Sequence, residues 1–239
     1  MNTTLWIEPW GSVALIVNIK LLLKHGAKTR VYKLAEAEEL DPSILKLFLE
    51  KYIDEGAQVE DIMDRAVPSW VNIATALLRL GANPNQETST RGMSKTYLLH
   101  RAAMGQKLGL VQLLLDKGAV ISKTDSNGHT ALSYSVWALF DMDEDSFTNH
   151  SRPPGILILE YLLEKGADVS TQEGQELMAY VIRWTMECYK NNPREWKYGI
   201  ELIKILAKHG AKYPAARRAR WKVMPSKKRR EILGALGDA

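Results

Sequence analysis

Six times along the chain, an apolar stretch at helical spacing runs into a Gly-Ala stop, usually through a charged or polar turn. The stops are Lys24-His25-Gly26-Ala27, Asp54-Glu55-Gly56-Ala57, Arg79-Leu80-Gly81-Ala82, Asp116-Lys117-Gly118-Ala119, Glu164-Lys165-Gly166-Ala167 and Lys208-His209-Gly210-Ala211. Apolar residues such as Leu113, Leu114 and Leu115, or Leu162 and Leu163, precede them and predict helices with a buried stripe. Glycine takes the left-handed conformation that ends a helix, and the small alanine behind it lets the next segment pack close. Cations in several last turns, Lys117 and Lys165 among them, face the negative end of the helix dipole.

Spacing and motif sharpen the picture. The six glycines lie 30, 25, 37, 48 and 44 residues apart, so the repeat is irregular. Between them, Gly118-Ala119-Val120-Ile121-Ser122-Lys123-Thr124-Asp125-Ser126-Asn127-Gly128-His129-Thr130-Ala131-Leu132 reads as a turn-rich finger leading into a helix. Tyr97-Leu98-Leu99-His100-Arg101-Ala102-Ala103 reads as a first helix, with Leu110 to Leu115 as its second. These stretches resemble the ankyrin-repeat family, whose unit of about 33 residues is a β-turn plus two helices with a T-P-L-H-x-A signature. The resemblance is specific from about Val71 to Ser170 and rests elsewhere on the Gly-Ala helix ends. It implies an all-α fold, an ankyrin-like solenoid of five to six stacked helix pairs with short hairpin fingers in the central units.

Against the family period, the interval of 37 puts its extra residues within Gln86 to Lys95, and that of 48 puts an insertion between two helices at Asp141 to Pro154. The interval of 44 implies longer helices around Asn191-Asn192-Pro193. Terminal repeats must cover an apolar face. Trp6, Trp10, Val13, Leu15 and Ile16 are expected to close one end, and Tyr213, Trp221, Ile232 and Leu233 the other. The expected division is a solenoid over 1–214 and a basic capping segment over 215–239.

Charge supports setting the last segment apart. Ala215 to Ala239 holds eight Lys and Arg against Glu231 and Asp238, whereas the whole chain is only +4. The composition, 46% hydrophobic and 25% charged over 239 residues, is that of a globular protein. A membrane span needs about 20 apolar residues, and the N-terminal run Val13 to Val17 is cut off by Asn18 and Lys20. Glu8 stands where a secretory leader would carry positive charge. The lone Cys188 has no partner for an internal disulfide, which fits a reducing compartment, cytoplasmic with a nuclear alternative.

Nothing in the chain reads as a catalytic or cofactor site, so no enzyme, cofactor or metal is expected. The five histidines, 25, 100, 129, 150 and 209, lack metal-ligand spacing, and His100 takes the place of the family's structural histidine. Cys188 follows Val181, Ile182 and Trp184 in an apolar-periodic stretch and reads as a packed thiol. Asp141-Met142-Asp143-Glu144-Asp145 begins like a calcium loop, but Ser146 and Arg152 stand where Gly and Glu are required.

The family resemblance implies a non-catalytic adaptor, a monomer that binds a protein partner through finger tips and first-helix ends. By position these are Met93, Ser94, Thr96, Met104, Thr124, Ser126, Asn127, His129, Trp137 and Ala138. Trp137 is the expected anchor, because aromatic residues dominate interface energetics, although its place also suits a core. Lys227-Lys228-Arg229-Arg230 has three readings: the outer face of a capping helix striped by Ile232, Leu233 and Leu236, an import cluster, or a contact for nucleic acid or a membrane surface. Met224-Pro225 with Glu231-Ile232-Leu233 also resembles the start of the F-box-like end of poxviral ankyrin proteins, which implies a ubiquitin-ligase substrate adaptor.

Overall fold

The computed structural model describes residues 42–54, 56–59, 62–63, 71–88, 95–140, 152–188, 193–213, 221 and 225–237. Gly26, the apolar N-terminal residues from Trp6 to Ile16 and the acidic run Asp141 to Asp145 lie outside them. The chain forms two compact units, residues 1–127 and 128–239.

In the first unit, α1 (Pro42–Asp54) packs on α2 (Val71–Arg79), and α2 packs on α4 (Leu108–Asp116), which in turn pairs with α3 (Leu98–Met104). Each helix buries positions three and four apart: Ile44, Leu45, Phe48 and Leu49 on α1, Ile73, Ala74, Leu77 and Leu78 on α2. Ahead of α3 a two-stranded hairpin pairs β1 (Glu87–Thr88) antiparallel with β2 (Thr96–Tyr97), Glu87 opposite Tyr97 and Thr88 opposite Thr96. In the second unit α5 (Ala131–Phe140) packs on α6 (Pro154–Glu164), α7 (Gln172–Cys188) on α8 (Pro193–Lys208), and α8 on α9 (Ser226–Leu236).

Among the described residues, the Gly-Ala stop has one geometry in all five places. After α4, the Gly118 N–H bonds the Leu115 carbonyl at 3.0 Å and the Ala119 N–H bonds that of Leu114 at 2.8 Å, with Gly118 at φ +91°. Gly56, Gly81, Gly166 and Gly210 repeat both bonds at φ from +94° to +100°. This double closure satisfies carbonyls that a helix end otherwise leaves open, and only glycine enters it without strain.

The irregular spacings are also visible. The stretch after Phe140 lies between α5 and α6, with Pro154 already the first residue of α6. The interval of 44 is taken up by α7 and α8, 17 and 16 residues long, against 7 and 9 for α3 and α4. Among the described residues, no helix is long and apolar enough to cross a membrane.

Candidate partner-binding surface

The repeat motif builds the site's frame. In the first unit His100 is buried at 1% exposure. Its Nδ1 accepts the Tyr97 N–H at 3.2 Å, and its Nε2 lies 2.9 Å from the Lys123 carbonyl. A neutral imidazole protonated at Nε2 satisfies both contacts and holds the following finger to the start of α3. In the second unit Ser133 takes the histidine's place after Thr130-Ala131-Leu132. Its hydroxyl donates to Glu173 Oε1 at 2.6 Å, which also accepts the Thr130 N–H at 2.7 Å and the Thr130 hydroxyl at 3.1 Å. A carboxylate from the first turn of α7 therefore sits over the N-terminus of α5, where the helix dipole favours negative charge.

On this frame the expected contact residues sort by exposure. In the first unit Thr124, Ser126 and Asn127 are exposed, and Met104 is exposed at the end of α3. The Asn127 N–H donates to Asp125 Oδ1 at 2.8 Å, a turn that points these side chains outward. Thr96 does not belong with them: it is buried, its hydroxyl 2.9 Å from that of Thr88 across the hairpin. Met93 and Ser94 lie outside the described residues. In the second unit Ala138 is 2% exposed and also drops out, because it follows Trp137 on a helix and is turned about 100° toward the core.

Trp137 is half-buried and belongs to a larger aromatic stripe. Its ring meets those of His129 at 4.8 Å and Tyr134 at 5.1 Å. Phe140 meets Tyr180 at 5.1 Å and Trp184 at 4.4 Å, and the Arg183 guanidinium lies 5.3 Å over the Tyr180 ring. Tyr134, Trp137 and Phe140 recur every third residue on α5, and Tyr180 and Trp184 are one turn apart on α7. All five keep part of their surface open. Sequence reasoning found His129 and Trp137 and missed the rest, although the spacing of Tyr134, Trp137 and Phe140 was there to read.

A family model of ankyrin repeats, three copies, matches residues 65–173. Over this span, a little under half of the chain, the sequence is similar to ankyrin repeats. Ankyrin repeats are general protein-interaction modules. No curated protein matches the chain. Among solved structures, the human ASB11 ankyrin repeat domain is 18% identical, with 83% of this chain and 96% of that one covered and a TM-score of 0.42. A chain of the complex between the predatory endopeptidase Bd0816 of Bdellovibrio bacteriovorus and the immunity protein Bd3460 is 20% identical, with coverages of 73% and 80% and a TM-score of 0.43.

Beyond the ankyrin span, α9 uses its basic run unevenly. Lys227 and Arg230 are exposed, while Lys228 and Arg229 are half-buried. Lys228 Nζ sits 4.1 Å over the Trp196 ring of α8 and 3.4 Å from Glu231 Oε2, which also accepts the Trp196 indole N–H at 2.7 Å. The four residues are thus not one solvated block. Ile232 and Ala235 are buried, whereas Leu233 and Leu236 are half-buried, so the inward stripe is narrower than expected. Trp221 is buried and stacks on Tyr213 at 5.4 Å.

Cys188, at the end of α7, is buried with its thiol 2.9 Å from Glu195 Oε2. Burial, then the carboxylate beside it, pushes its pKa up to about 12. Such a thiol is a poor nucleophile at neutral pH. Among the described residues no group of three His, Cys, Asp or Glu is placed to hold a metal ion.

Proposed function

We propose that the chain is a non-catalytic adaptor that binds a protein partner through the finger and first-helix positions of its ankyrin repeats. The aromatic stripe Tyr134, Trp137, Phe140, Tyr180 and Trp184 carries this reading. Rigid rings give large contact area at low entropic cost, and interface energy concentrates on such residues. Thr124, Ser126, Asn127 and Met104 supply exposed contacts in the first unit, and Met93 and Ser94 join them on the family resemblance alone. Affinity capture followed by mass spectrometry tests the reading. Trp137→Ala with Tyr180→Ala should lose the partner caught by the wild type while the helical circular-dichroism signal persists. Undiminished capture by the double variant overturns it.

For residues 215–239 we favour the capping role. Glu231 and Ile232, two of the residues behind the F-box-like resemblance, are engaged on α8 or buried. Deleting 222–239 should lower the melting temperature, and an unchanged melt counts against the cap.

A further inference from the structure

The second unit carries a cationic face on α8 and α9 that the aromatic stripe does not use. From Pro193 to Ala239 the chain has 13 Lys and Arg against four acids, a net +9, whereas the preceding 192 residues sum to −5. Three of those acids are engaged. Glu195 accepts the Cys188 thiol, and Glu231 accepts the Trp196 indole and faces Lys228. Glu201 is bound by Arg152, whose guanidinium also forks onto Glu160 at 2.6 and 2.7 Å. The fourth, Asp238, lies outside the described residues.

Six of the cations, by contrast, are exposed. Lys197, Lys204 and Lys208 are seven and four residues apart on α8, so they share one face over about 16 Å of helix. All three are exposed, as are Lys212 just beyond the helix and Lys227 and Arg230 on α9. None of these six makes an ion pair among the described residues. A cleft of about 630 Å³ opens beside the row, lined by Lys197, Lys204, Tyr198 and Arg152 together with Trp196, Ile200 and the carboxylates Glu201 and Glu231, of which Glu201 is held by Arg152 and Glu231 by the Trp196 indole. Tyr198 is half-buried there, with part of its surface open.

We infer that this face binds single-stranded nucleic acid, the phosphates along the α8 lysine row and a base against Tyr198 in the cleft. Among the described residues, the exposed large apolar side chains are Leu47, Met104 and Val120, all in the first unit. Among the described residues the basic face therefore carries no fully exposed large apolar side chain to enter a bilayer, which favours a polyanion over a membrane surface. A row of cations beside a cleft with an aromatic ring is the arrangement that grips a strand without reading its sequence. A duplex keeps its base faces stacked and leaves the ring unused. The site shares no residue with the aromatic stripe and does not rest on the adaptor reading.

Fluorescence anisotropy of the full chain with a labelled single-stranded RNA of about 20 nucleotides, titrated between about 50 and about 200 mM salt, tests it. The wild type should bind, with affinity falling steeply as salt rises through counterion release. Lys197→Gln with Lys204→Gln and Lys208→Gln should weaken binding at least about tenfold and flatten the salt slope by about two, at roughly 0.7 for each phosphate no longer neutralised. Replacing the same three with Arg should restore both. Tyr198→Ala should cost about fivefold or more and leave the slope unchanged, the mark of a missing stacking partner. The inference is overturned by no binding at low salt, by triple-Gln binding equal to wild type, or by equal binding to duplex. Preferential binding to phosphatidylserine vesicles, insensitive to Tyr198→Ala, overturns it in favour of a membrane. Melting curves of the variants, expected to match the wild type, separate these outcomes from misfolding.

Discussion

The side chain of Asn85 clamps the backbone around Val120. Its Oδ1 accepts the Val120 N–H at 2.8 Å, and its Nδ2 donates to the Gly118 carbonyl at 2.9 Å. The turn after α2 is thereby tied to the turn after α4, 35 residues on, at the point where the second helix closes. Both contacts are exposed, so water replaces them when the amide is removed and the destabilisation stays modest. Asn85→Ala should cost about 1 kcal/mol, read as a lower denaturant midpoint at unchanged slope. Asn85→Asp should cost at least as much, because it turns a second acceptor toward the Gly118 carbonyl. Hydrogen exchange at the Val120 amide should quicken in both variants. Unchanged exchange there would show that the clamp does not hold the turn.

Glu173 does for the second unit what a histidine does for the first. Its Oε1 collects three donors at the start of α5, two from Thr130 and one from Ser133. Glu173→Gln keeps the shape but removes the charge that these donors and the helix dipole stabilise, and should cost about 1–2 kcal/mol. Ser133→Ala should cost less, and its effect should shrink in the Glu173→Gln background, since the two residues share one bond. Additive effects in that double-mutant cycle would separate the two side chains.

These cases show which parts of the molecule could be read before its structure. The helix stops were legible because glycine's left-handed backbone is a local rule, and His100 because its place in the family motif is fixed. Glu173 was not legible, for its donors lie 40 or more residues away and only the packing of α7 beside α5 brings them together. The phase of α5 was open as well. Apolar residues occupy every face of Ala131–Phe140, so nothing in the sequence distinguished Trp137, partly exposed, from Ala138, buried beside it. In the basic run, charge alone could not show that Lys228 turns in to cover Trp196 while Lys227 stays out.

The Cys188 thiol sets a pH dependence. Its folded pKa of about 12 lies above the ordinary thiol value of 9.0, because burial and then Glu195 disfavour the thiolate. The folded state therefore holds the proton more tightly than the unfolded chain does. The stability this gives is fully present below pH 9 and declines as pH rises toward 12. Cys188→Ala should flatten the alkaline limb of a stability-versus-pH curve. Alkylation of the wild-type thiol at about pH 8, below the ordinary thiol pKa, should be slow until denaturant is added. Fast alkylation of the native protein would contradict the buried, proton-holding thiol.

Two glycines separate conformational cost from steric cost. At Gly118 an added Cβ would meet nothing within 4 Å, but the backbone stands at φ +91°. Gly118→Ala should therefore lose about 1–2 kcal/mol from the left-handed conformation alone. Gly199 lies within α8 in an ordinary helical conformation, where alanine normally gains up to about 1 kcal/mol. Here its Cβ would collide with the side chain of Thr185 on α7, which is buried and donates its own hydrogen bond to the Val181 carbonyl at 2.7 Å. The rigid threonine cannot swing away without giving up that bond, so the close approach of the two helices should outweigh helix propensity. Gly199→Ala is expected to lose about 1–3 kcal/mol, as overpacked cores do. In a Thr185→Ala background the same substitution should cost clearly less, because most of the colliding atoms are gone. Thermal melts of the four proteins in that cycle decide it, and a higher melting temperature for Gly199→Ala alone would mean that α7 and α8 do not meet as closely as described.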